Sequence, residues 1–349
     1  MAGFENFSGN RDAAQTLAQM IERSRIPQTI LLSGPEGLGK ATLARRFAAR
    51  LLGDGARIER DDLSLAANQE IVEQREKWTS EKRAEDPLLF SSHPDFVTFG
   101  PDGPLRQITI QQMRLLRERA QFKPLKGARR VFLIDHLERA NEQSANSLLK
   151  LLEEPPDHLV IFATTENLYD LLPTIRSRSF VLQMSRLTDE EMREFARERK
   201  LADVDARVAL AEGSPGLAVS INLDEYRERR NLMMAALECG AGLLPFSGWV
   251  QRSESFNNRK SEKLELYLRI AYGLLEDLLS VREGRPAVRN RDIEAAIARI
   301  TSRVSFEWLE RAVRYVDDLT VMARRNAQKS LAMDSIIINL RNEEGKVCA

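Results

Sequence analysis

The sequence predicts a parallel α/β domain followed by a chain that is helical to its end. Three observations carry this. A short apolar run, a glycine-rich loop and an amphipathic helix follow one another directly between residues 30 and 51. Continuous apolar runs at 131–134 and 159–163 alternate with helical patterns, as expected of parallel strands covered on both faces. Beyond Arg186 no further strand pattern occurs.

Taken in order, Ala14, Leu17, Ala18 and Ile21 fall at helical spacing, and Pro27 ends that helix. Ile30, Leu31 and Leu32 form the first strand, and Leu43, Ala44, Phe47, Ala48 and Leu51 form the apolar face of the helix after the glycine loop. Residues 53–90 are charged and rich in Ala and Glu, closed by Pro87, and read as a solvated helical insertion. A strand at 96–99 and a helix at 107–120 lead to the strand at 131–134, which ends in Asp135. The helix at 141–152 is stopped by Pro155 and Pro156. The strand at 159–163 ends in Thr164 and Thr165, and a short turn after Pro173 precedes a last strand at 180–182. Thr188 before Asp189, Glu190 and Glu191 is a helix N-cap with acids in the first turn. Short helices then pass a Gly213-Ser214-Pro215-Gly216 turn. From about residue 225 only helices are expected, with one apolar stripe through Leu264, Leu268, Ala271, Leu275 and Leu278. A second stripe runs through Phe306, Leu309, Val313, Val316 and Leu319. The expected domains are therefore 1–186 (α/β), 187–224 (a small helical lid) and 225–349 (a helical collar).

Composition narrows the function classes. The 349 residues carry 52 Lys+Arg and 52 Asp+Glu, a formal net charge of zero. That argues against a protein whose whole surface coats nucleic acid, while leaving room for a local basic patch. Two cysteines, Cys239 and Cys348, and three histidines make neither a disulfide framework nor a structural zinc site. No stretch reaches the ~18 apolar residues of a membrane span, and the amino terminus lacks the pattern of a signal peptide. A cytoplasmic, metal-free protein is expected.

Gly34-Pro35-Glu36-Gly37-Leu38-Gly39-Lys40-Ala41-Thr42 nearly matches the phosphate-binding loop pattern G-x-x-x-x-G-K-[ST]. Glycines let backbone N–H groups turn inward around phosphate oxygens, and the following helix points its positive end at the anion. The hydroxyl that should hold magnesium is missing, since Ala41 follows Lys40. Thr42 stands one position late, ~100° round the helix. Asp135 ends its strand where a metal-holding carboxylate belongs, or else serves as a helix N-cap. Its neighbour is His136, where an attacking water would need a glutamate.

The segments 148–156 (LLKLLEEPP) and 172–179 (LPTIRSRS), with His93-Pro94-Asp95, resemble the delta-prime subunit family of bacterial DNA polymerase III, within the clamp-loader branch of the AAA+ ATPases. The Gly213–Gly216 turn and carboxy-terminal text at 275–279 and 326–331 extend the resemblance over nearly the whole chain. The resemblance implies a ring with gamma/tau and delta subunits that loads a sliding clamp on primer–template DNA. It also implies an arginine finger at Arg178, offered in trans to a neighbour's ATP, with Arg176 as a lesser helper. Thr164 or Thr165, the latter the chosen candidate, occupies the sensor place. Gly216 stands where an active lid carries an arginine. Ala41, His136 and Gly216 together imply a non-hydrolysing member, with ATP either absent or held without cleavage. Many relatives carry a four-cysteine zinc module, but residues 53–90 contain no cysteine, so no zinc is expected. Two rivals remain: an active gamma/tau-type motor and a stand-alone nucleic-acid-binding AAA+ protein.

Overall fold

The computed structural model describes residues 4, 7–258, 264–285, 288–323 and 329–342. The 326–331 text and Cys348 therefore lie partly or wholly outside the described residues. Five parallel strands form one sheet in the order β2-β3-β4-β1-β5: β1 (Thr29–Ser33), β2 (Phe96–Phe99), β3 (Arg130–Ile134), β4 (Leu159–Thr165) and β5 (Phe180–Gln183). Ile30 lies opposite both Phe162 of β4 and Phe180 of β5. Every residue of β1 to β4 is buried, which is why those strands read as unbroken apolar runs. The edge strand β5 is largely exposed, with Phe180 and Val181 open to solvent.

Around the sheet lie α1 (Arg11–Glu22), α2 (Lys40–Leu52), α3 (Gly55–Ile58), α4 (Ala66–Glu76), α5 (Ser80–Glu85), α6 (Ile110–Ala120), α7 (Glu142–Glu153) and α8 (Pro173–Arg176). The helix expected from residue 107 begins at Ile110 because Thr109 and Gln112 form a reciprocal capping box. The insertion is helical, but it is pinned rather than merely solvated. Arg75 of α4 makes a bidentate pair with Asp102 (3.0 and 2.8 Å), their side chains 5% and 1% exposed. Asp61 accepts the Ser92 N–H with both oxygens, at 3.0 Å each.

By packing the chain divides into two units. The first is residues 1–202 with 211–219; the second is 203–210 with 220–349. The first thus carries α9 (Asp189–Glu198) and most of α11 (Pro215–Ser220), whereas most of α10 (Val204–Ala211) packs with the second. The second unit also holds α12 (Leu223–Gly240), α13 (Phe246–Asn258), α14 (Leu264–Arg282), α15 (Glu294–Arg303), α16 (Phe306–Ala323) and α17 (Lys329–Asn342). Its core includes Trp249, Tyr267, Leu274 and Trp308. The α14 stripe is wholly buried there; on α16, Phe306 is 53% exposed while Leu309, Val316 and Leu319 are buried. No helix among the described residues is long and apolar enough to cross a membrane.

Candidate functional site

The loop from Gly34 to Gly39 joins β1 to α2, and Gly39 caps the helix in the left-handed conformation (φ 81°). Lys40, 6% exposed, does not reach outward: its Nζ donates to the carbonyls of Gly34 (2.6 Å) and Pro35 (2.7 Å) of its own loop. Burial pulls the Lys40 ammonium below its usual range, opposed by the carboxylates of Glu166, Asp135, Glu138 and Glu36.

The Gly213–Gly216 turn closes over the loop's tip. Ser214 Oγ donates to the Glu36 carbonyl (3.0 Å), and the Gly216 N–H donates to the Gly37 carbonyl (2.8 Å). The approach is as close as two glycines allow. A Cβ on Gly216 would lie 2.9 Å from both Cα and O of Gly37, and one on Gly37 would lie 2.1 Å from Ser214 Oγ. An arginine at position 216 has no room in this arrangement.

The other parts of a nucleotide site are equally altered. Ala41 offers no hydroxyl, and Thr42 Oγ1 is taken by Arg45 Nη2 at 3.3 Å. Arg45, buried, is itself held by Glu59 and Asp62. Asp135, at the end of β3, is not an N-cap. It accepts a hydrogen bond from Thr164 Oγ1 at 2.5 Å, and the same oxygen accepts the His136 N–H at 2.9 Å. Thr165, the adjacent residue, donates instead to the Asn167 carbonyl (2.9 Å), so Thr164 is the one that meets Asp135. The hydroxyl that would hold magnesium beside the loop is therefore absent at position 41 and engaged within the chain at position 42.

His136 lies beside Glu138 (Nδ1 to Oε1, 3.1 Å) and Glu166 (3.8 Å). The hydrogen bond to Glu138 raises its pKa against the effect of burial, and Asp135 and Glu166 add to the rise. Burial, the largest single influence, pushes Glu138 up, but the bond from His136, the residue's own backbone N–H, the nearby His136 charge and the Thr165 hydroxyl together outweigh it and leave Glu138 below the ordinary range. The ligand atoms of His136, Glu138 and Glu166 lie within 4.8 Å of one another, a grouping that could hold a metal ion. The carboxylates already face two basic groups, His136 and Lys40. Sequence spacing does not reveal this cluster, because Glu166 follows a different strand.

Arg178 stands apart from the loop, in the turn after α8. Its side chain is 36% exposed; Nη2 meets Glu153 Oε1 at 2.9 Å and Nη1 donates to the Thr174 carbonyl at 3.1 Å. Arg176 instead lies over the Tyr169 ring (5.4 Å), with its Nε buried and unpartnered. Of the two arginines, Arg178 is the one presented outward. Cys239 is a free buried thiol.

The family model described as DNA polymerase III, delta subunit, matches residues 9–188, more than half of the chain. Curated relatives include the DNA polymerase III delta' subunit of Pseudomonas aeruginosa, 31% identical over 218 residues that make up 61% of this chain and 61% of the relative. The gamma/tau subunit of Mycobacterium tuberculosis is 31% identical over 189 residues, 51% of this chain and 28% of the relative. The aligned stretch thus spans less than two thirds of either relative. Among solved structures, a gamma subunit-related protein of Thermotoga maritima aligns over 94% of this chain and 98% of its own, at 20% identity and a TM-score of 0.48. The chain belongs to the DNA polymerase III delta-subunit family, within the clamp-loader AAA+ proteins.

Proposed function

We propose that this chain is the non-hydrolysing, delta'-type subunit of a cytoplasmic clamp loader. In this reading it joins gamma/tau and delta subunits in a ring that places a sliding clamp on primer–template DNA, and Arg178 completes a neighbour's ATP site. The observation that carries the reading is the packing of Gly216 on Gly37, N–H to carbonyl at 2.8 Å with no room for a Cβ and hence none for a lid arginine, beside an Ala41 that brings no hydroxyl to the loop. Phosphoryl transfer depends on metal placement and positioned charge, and Ala41, His136 and Gly216 supply neither. An arginine supplied in trans neutralises charge on a transferring phosphate, worth about 10³–10⁵-fold in related enzymes. The reading includes neither zinc nor a need for bound ATP.

The test is ATP turnover of the isolated chain and of the reconstituted ring. The isolated chain should release no phosphate above background. Arg178→Ala should leave assembly intact and lower ring turnover in part, because only the adjacent site loses its finger. Arg178→Lys should rescue little, since an ammonium lacks the planar fork. Turnover by the isolated chain that vanishes in Lys40→Ala would instead support an active gamma/tau-type motor. That second reading draws on the 31% identity to a gamma/tau relative.

A further inference from the structure

We propose that Glu153 parks the finger: its carboxylate holds the Arg178 guanidinium on this chain until a neighbour's phosphates displace it. The inference rests on reading Arg178 as a finger. Both terminal nitrogens of Arg178 are engaged within this chain at its surface, Nη2 by Glu153 Oε1 at 2.9 Å and Nη1 by the Thr174 carbonyl at 3.1 Å. A guanidinium has five N–H donors in one plane, so presenting the fork to another chain's phosphate requires giving up the Glu153 contact or sharing its charge.

The position of Glu153 fits a role beyond helix stability. It is the last residue of α7 and is followed by Glu154. A helix carboxyl end carries partial negative charge, so two adjacent carboxylates there are unfavourable by themselves. The Arg178 cation, brought alongside by α8, offsets them. The contact is also built to open. The side chains are 36% and 49% exposed, and exposed pairs are weak and salt-screened. A triphosphate offers several charged oxygens against one carboxylate, and it can accept bidentate bonds that this single contact does not supply. Arg176 does not compete for Glu153, because it lies over Tyr169.

Removing the carboxylate should therefore make the finger easier to recruit. The experiment is ATP turnover of the reconstituted ring at low salt, without clamp or DNA, at matched assembly. The chains compared are wild type, Glu153→Gln, Glu153→Lys, Arg178→Ala and the double variant Glu153→Gln/Arg178→Ala. Thermal melts of each chain establish that it is folded. Glu153→Gln should raise turnover about 1.4- to 5-fold, the range set by an exposed ion pair. Glu153→Lys should raise it further by repulsion. The rise should shrink at high salt, and Glu153→Gln should change nothing once Arg178 is Ala. If Arg178→Ala slows the ring while Glu153→Gln and Glu153→Lys leave turnover unchanged or lower, the parking inference is wrong and the finger stands. If Arg178→Ala slows nothing, the finger reading fails, and parking fails with it.

Discussion

Gly216 shows how one residue can decide the character of a site. An arginine is expected there in an active lid, and the backbone of Gly37 leaves no space for one, or even for a methyl group. Gly216→Ala should cost about 1–3 kcal/mol, the usual penalty of forcing atoms into a filled space, read as a lower midpoint in urea unfolding. Gly216→Arg should cost more and should not confer ATP turnover, because Ala41 and His136 remain. An unchanged midpoint in both variants would mean that the lid turn does not hold the loop. His136 makes a pH prediction. Its pKa is raised in the folded chain, so the stability it contributes is fully present below its unfolded value of about 6.5 and is lost as pH rises through the folded value. The depressed Glu138 contributes above its unfolded value and loses that only as pH falls through the folded one. Melting temperatures of wild type and His136→Gln should therefore differ most below about pH 6.5 and converge as pH rises through the folded value. A constant gap across that range would remove His136 from the account.

At the scale of elements, the strands were legible because both faces of a parallel strand are apolar, and β1 to β4 are buried throughout. The glycine loop was legible because its spacing has a mechanism, and its defects at Ala41, His136 and Gly216 could be read one by one. The choice between Thr164 and Thr165 could not be read, because adjacent strand residues face opposite sides and both carry the same hydroxyl. The insertion at 53–90 is helical and mostly exposed as read, but its buried anchors were not legible for a related reason. In a sequence, a charge that will be buried looks like one that will stay wet. Arg75, Asp61 and Asn68 are buried, and their partners lie far along the chain or in backbone groups that no pattern marks. The Arg75–Asp102 pair makes the sharpest test. Asp102→Ala leaves the buried guanidinium only the Asp86 carbonyl and the exposed Asp86 carboxylate at 3.4 Å, and should cost about 3–5 kcal/mol in chemical unfolding. The paired change Arg75→Met with Asp102→Leu should recover most of that loss. A loss below about 1 kcal/mol for Asp102→Ala would show that water or a neighbour replaces the carboxylate.

At the scale of the whole chain, each packing unit has its own core, and each therefore has its own reason to fold. The first closes a five-stranded sheet under α6 and α7, with Leu31, Phe132, Ile161 and Leu148 among its buried residues. The second spends most of its apolar stripes on itself, through Trp249, Leu274, Trp308 and Leu309. It still leaves Leu243, Val250, Leu266, Phe306, Leu331 and Ile338 open to solvent. Scattered exposed apolar residues are ordinary, and in the proposed ring they are where contacts between chains would be sought. A chain ending at residue 225 keeps every strand and every part of the loop, so it should still give a cooperative melt with the circular dichroism of an α/β domain. It leaves α10 without the helices it packs among, so that short segment should become sensitive to protease while the sheet stays protected. If the second unit is the collar of the ring, this shortened chain should no longer co-purify with gamma/tau and delta. Recovery of the shortened chain in the assembly at full yield would place the contacts that hold the ring on the α/β unit, and the collar reading of residues 225–349 would have to be abandoned.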